Sequence, residues 1–136
     1  MTSPPQPAES QPAESQPSES QPAESQSARD IAEVPALEVV STAALHLMSA
    51  AAVHLGLAED LPGHRDLDEA RTLIESLAGL VSAGAPRLGH HHAAPLRDGL
   101  RSLQLAFREA SEIEDPPGEG PGERFTGPVS PTRSGR

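Results

Sequence analysis

Leu67, Ala70, Leu73, Ile74, Leu77, Leu80 and Val81 fall within one arc when their segment is wound at about 100° per residue. Asp68, Thr72, Glu75, Ser76 and Ser82 fall on the other side. Leu96, Leu100, Leu103 and Phe107 repeat the pattern in the next segment. A third, more apolar stretch, from Ala36 to Leu57, precedes both. This is the period of helices that each bury one face. It predicts an all-α fold, a small three-helix bundle, and excludes a sheet protein.

Local signals set the expected boundaries. The first helix spans about 36–55, with Pro35 suited to its entry and Gly56 to the C′ position. Val40, Ala44, Leu47, Met48, Ala51, Ala52 and Leu55 cover a broad arc, and Val39 and Val53 lie outside it. A helix this apolar all round is central or covered by a partner. After a Pro-Gly-containing linker at 58–65, Asp66 and Glu69 form a capping-box-like pair that opens a helix over 66–83. Pro86 is expected to end it, 85–93 to be a loop, and the third helix to span 94–111 with Pro95 in its first turn. Pro116-Pro117-Gly118 blocks further helix. The helical domain is thus expected at 29–113. Residues 6–25 are four copies of a Gln-Pro-Ala/Ser-Glu-Ser unit, a period that fits neither helix nor strand, so 1–28 is expected to be a disordered, solvated tail. The Pro/Gly-rich 114–136 is expected to be disordered too, with Phe125 and Val129 as its only bulky apolar groups.

The core must be built from small residues. The 136-residue chain has no Trp, Tyr or Cys, and its only aromatics are Phe107 and Phe125. About 85 residues with an Ala/Leu interior make a marginal domain, which a second copy would help. The net charge is −10, and all ten basic residues are Arg. Such a chain repels nucleic acid and anionic lipid wherever Arg is not concentrated. Without Cys, disulfides and thiol chemistry are excluded. The N-terminus lacks the basic and apolar stretches of a secretory signal, and Glu38, His46 and His54 oppose membrane insertion of the first helix. The expected location is the cytoplasm.

Few residues offer chemistry. His90, His91 and His92 are the one candidate metal-ligating run, but no Cys or fixed carboxylate completes a ligand set, so a solvated loop capping the third helix is the reading adopted. His46 and His54 lie about 12 Å apart along their helix and cannot share a metal within one chain. His54 borders the apolar face, as an interface residue would. Arg97, Arg101, Gln104 and Arg108 form a stripe suited to phosphate or RNA, or to ion pairs with Glu69 or Glu75. Leu105 projects away from the apolar face of its helix and, with Val53, suggests a second contact surface. Phe125, in Gly-Glu-Arg-Phe-Thr-Gly-Pro-Val, suits a linear motif that anchors in a partner groove. There is no Cys or Lys nucleophile, no P-loop and no Ser nucleophile elbow. Catalysis and a cofactor are therefore not expected.

The helical segments, VVSTAALHLMSAAAVHLGL, DLDEARTLIESLAGL and LRDGLRSLQLAFREA, resemble the bacterial domain-of-unknown-function family 1844. The second segment follows that family's pattern at Asp66, Leu67, Ala70, Ile74, Leu77 and Leu80; the third follows it at Leu96, Leu100, Leu103 and Phe107. The resemblance covers about 36–110, and the GPGERFTGPV tail is most similar to the actinobacterial branch. The 82–94 connection and Gln104, where the family is often basic, depart from the pattern. The resemblance implies a small cytoplasmic helical protein whose relatives often lie beside genes for translation initiation factor three and ribosomal proteins. Residues and resemblance together predict a non-catalytic interaction or accessory module that forms a homo-oligomer. The alternatives are a translation-associated factor touching ribosome or RNA through the Arg stripe, and a metal-binding protein using His90–His92.

Overall fold

The computed structural model describes residue 28 and residues 31–130. The chain divides into two compact units, 1–35 and 36–136. In the first, residues 31–33 form a helical turn and Ile31 and Val34 are exposed. The Gln-Pro-Ala/Ser-Glu-Ser repeats and residues 131–136 lie outside the described residues.

The second unit is all-α among the described residues. It consists of α1 (Ala36–His54), α2 (Leu67–Leu88), α3 (His90–Ala110) and the single turn α4 (Glu123–Thr126). α1 packs mainly on α2 and less on α3, α2 packs on α3, and α4 sits on α2. The shared core comprises Ala44, Ala51 and Leu55 from the α1 region, Ala70, Ile74, Leu77, Ala78 and Val81 from α2, and Leu96, Leu100, Leu103 and Phe107 from α3. All but Ala78 are residues that the helical period selects; Leu67, Leu73 and Leu80, also selected, pack half-buried against this core.

Small side chains let the helices close up. Gly99 of α3 faces Met48 so tightly that a Cβ there would lie 2.8 Å from the sulfur. α1 ends as its sequence requires. Gly56 adopts φ +86°, its N–H donates to the Val53 carbonyl, and the Leu57 N–H donates to the Ala52 carbonyl. That is the Schellman pattern, which needs a residue free to take positive φ. At the start of α2 the Glu69 N–H donates to Asp66 Oδ1. The capping box is one-sided, because the Asp66 N–H donates instead to the His54 carbonyl and ties the linker to the end of α1.

Two boundaries differ from expectation. α2 continues through Pro86 to Leu88, and α3 starts at His90, so the expected 85–93 loop is reduced to Gly89 at φ +87°. Packing overrides local propensity here: Ala85 and Ala93 are buried and extend the two apolar seams toward the hinge. The prolines are tolerated because Pro86 and Pro95 are exposed, as are Ser82 and His91, whose carbonyls they leave without an N–H partner.

The third difference is larger. Residues 114–130 are not disordered. They form a strap that runs back over α2 and α3, burying Gly120, Pro121, Gly122, Glu123 and Val129.

α1 is long and apolar enough, by length and composition, to cross a membrane. Its Ala44 and Ala51 are nevertheless fully buried in the helical core.

Candidate functional site

The strap is held by polar side chains that the two longer helices present beside their apolar seams. Arg108, expected to be a solvated member of the stripe, is the centre of this arrangement. Its Nε donates to Glu123 Oε2 at 2.6 Å and its Nη2 to Glu123 Oε1 at 2.8 Å, a bidentate fork. Its remaining donors reach the Asp115 and Pro116 carbonyls. The Glu123 side chain is fully buried and the Arg108 side chain is 8% exposed. The Glu123 carboxylate also accepts from the Gly118 N–H at 2.9 Å. Burial pushes the Glu123 carboxyl up. The Arg108 guanidinium and the backbone N–H groups of Gly118 and Gly120 outweigh that and hold it below its ordinary value. Arg108 is raised in turn, chiefly by its hydrogen bond to Glu123.

Two further anchors complete the docking. Glu75 of α2 accepts from the Gly122 N–H at 2.7 Å and pairs with Arg124 at 2.6 Å. Gln104 of α3, almost wholly buried, donates to the Pro121 carbonyl and to Thr126 Oγ1, each at 3.1 Å. Arg71 lies 4.9 Å from the centroid of the Phe107 ring and pairs with Asp115 at 2.9 Å, closing the end of the core. The expected pairing of Arg108 with Glu69 or Glu75 therefore does not occur; Glu75 and Arg108 each bind the strap.

Gly122 has to be glycine. It sits at φ +77°, and a Cβ there would lie 2.8 Å from the Ala78 Cβ on α2. Gly122→Ala is expected to cost about 1–3 kcal/mol, from left-handed backbone strain plus overpacking against a helix that cannot retreat. The strap should loosen first: trypsin should cut at Arg124 faster while the helical circular dichroism stays unchanged. Equal cleavage rates would show that Gly122 does not hold the strap down.

The other residues singled out from the sequence are placed as follows. Phe125 is partly engaged within the fold. Its ring packs on Gly79 of α2, under the Arg124 guanidinium at 4.8 Å, and it remains 41% exposed. Leu105 is half-buried rather than exposed, in a depression shared with Arg108, Glu109, Ser111, Glu112 and Glu114. His90, His91 and His92 occupy the first turn of α3, not a loop, and all are exposed. Among the described residues no three His, Asp or Glu side chains converge on a metal position. Val53 is half-buried; His54 is too, with its Nδ1 3.0 Å from Nε2 of His64 in the linker.

Arg97 and Arg101 remain exposed, and they border a cleft of about 410 Å³. Ala78, Val81 and Leu100 belong to its helical walls, and Phe125, Pro128 and Val129 to its strap side. Arg101 spends one donor on the Ser130 carbonyl at 2.9 Å.

Away from the cleft, which no α1 residue lines, α1 leaves an apolar face uncovered. Val39 is 49% exposed on that face, Leu45 is 56% exposed on another side of the helix beside Glu38 and Ser49, and Glu38 is the only acidic residue in the helix. Glu75, Gln104 and the segment holding Gly122 and Glu123 are singled out in the sequence, but nothing there says that they meet. The hints that the tail does something were Phe125 and Val129 in an otherwise polar segment and the resemblance of GPGERFTGPV to family tails.

No curated protein and no solved structure matches the chain. A family profile matches residues 36–109, the three long helices without the strap. By that match, which spans more than half its length, the chain belongs to the family described as a domain of unknown function, DUF1844.

Proposed function

We propose that the protein is a non-catalytic helical module of the cytoplasm that self-associates through the outer face of α1. The observation that carries this reading is the uncovered apolar surface of that helix. Val39, Ala43, His46, Ala50 and Val53 follow one another at spacings of four, three, four and three, the spacing of a seam on which a second helix can lie. At about 100° per residue Val53, His46 and Val39 lie across the helix from the buried Ala44 and Ala51, with Ala50 and Ala43 toward one flank; Val39, Ala43 and His46 are exposed and Ala50 and Val53 half-buried. None is Asp, Glu, Lys or Arg, and Ala43 and Ala50 permit close approach. The small core supports the same reading, since a marginal domain gains from a second copy.

The test is light scattering after size exclusion on the full chain, over about a hundredfold range of concentration, because association is governed by mass action. The wild type is expected to show the mass of a dimer, and Val39→Glu that of a monomer with unchanged helicity. A wild type that stays monomeric throughout, or a Val39→Glu dimer, would overturn the proposal. Co-sedimentation of the monomer with lipid vesicles would assign the face to a membrane surface instead.

A further inference from the structure

We infer that the cleft between α2, α3 and the strap binds a small amphipathic anion, its apolar chain on the cleft floor and its head group on Arg97 and Arg101. The charge pattern is the first reason. The chain carries twenty acidic and ten basic residues, yet no acidic residue lines this cleft while two arginines do. Four residues apart on α3, Arg97 and Arg101 are neighbours on one helix face. Arg97 makes no ion pair or hydrogen bond among the described residues, in contrast to Arg71, Arg108 and Arg124. Planar guanidinium forks suit carboxylate and phosphate oxygens alike.

The floor is the second reason. Pro86, Phe125 and Pro128 line the cleft with exposed apolar surface, and Ala78, Val81, Leu100 and Val129 are buried behind them. Phe125 stays partly exposed at its edge although its ring is packed on Gly79. The cleft falls within the range of small-molecule sites, about 300–1,000 Å³, in which an apolar lining supplies most of the contact and a few polar groups fix orientation. An inorganic anion would leave the exposed Pro86, Phe125 and Pro128 wet, and a neutral chain would leave the arginines unused. A molecule with both parts satisfies both. No residue of α1 lines the cleft, so the inference is independent of self-association.

Isothermal titration of the full chain with decanoate, decyl phosphate, decanol and inorganic phosphate tests it. Decanoate or decyl phosphate is expected to saturate one site per chain, and the tighter of the two identifies the head group. Decanol should bind at least about tenfold more weakly, the difference that charge-assisted hydrogen bonds make. Arg97→Gln with Arg101→Gln should lose about the same factor for the anion and nothing for decanol. Both side chains are exposed, so the fold should survive, which circular dichroism checks. The inference fails if no anion saturates, if decanol or inorganic phosphate binds as tightly as the amphiphile, or if the double variant binds unchanged.

Discussion

Arg108→Met is expected to destabilise the protein by about 3–5 kcal/mol at neutral pH, because it strands a carboxylate inside the fold. The Glu123 side chain is fully buried, and without Arg108 it keeps only backbone N–H partners. Against a total stability of about 5–15 kcal/mol for a domain, that loss is large. Its pH dependence separates this mechanism from lost packing. In the wild type the Glu123 carboxyl is held below its ordinary value of 4.5. The pair therefore contributes stability that is present above that value and lost as the pH falls through the lowered one. In the variant, burial acts with little opposition and raises the carboxyl. The deficit should then be greatest at neutral pH and shrink on acidification, as Glu123 takes up a proton. Urea unfolding at several pH values measures this, and a deficit that does not change with pH would sink the assignment. Adding Glu123→Gln to Arg108→Met should recover part of the loss, since the buried charge is then gone.

Phe107→Ala is expected to cost about as much, roughly 3–5 kcal/mol, for a different reason. Phe107 is 2% exposed and is the only aromatic in a core otherwise made of Ala, Leu, Ile and Val. A core with members as small as Ala70 and Ala78 has little volume with which to fill the resulting cavity. Arg71 would also lose the ring face it covers. This deficit should be independent of pH between 5 and 8, in contrast to that of Arg108→Met, and Phe107→Leu should cost less. A Phe107→Ala loss below about 1 kcal/mol would mean that the end of the bundle collapses to fill the space.

The three helices and their buried faces are legible in the sequence because burial on one side of a helix imposes a period, and a period can be read from residue order. Ile74, Leu77, Leu100, Leu103 and Phe107 lie where that reasoning puts them. So do the caps at Asp66 and Gly56, whose signals are local. The ends of α2 and α3 near Pro86 and Pro95 are misread by local rules, because buried Ala85 and Ala93 extend both helices against proline's preference. The strap is misread altogether. Its residues have no period, and its docking depends on single polar contacts between positions 15 to 47 residues apart, such as Arg108 with Glu123 and Glu75 with Gly122.

Residue order therefore determined the helical class, the core and the apolar excess of α1, since each is a sum over many positions of one repeated preference. Only the tertiary structure decided that Arg108 lies inside while Arg97 and Arg101 stay outside. Helical spacing places all three on one stripe, and what separates them is the return of a distant carboxylate, Glu123, to one end of it. That return also forms the cleft, because one of its walls belongs to the strap. Neither the pairing nor the wall exists until the chain has folded back on itself.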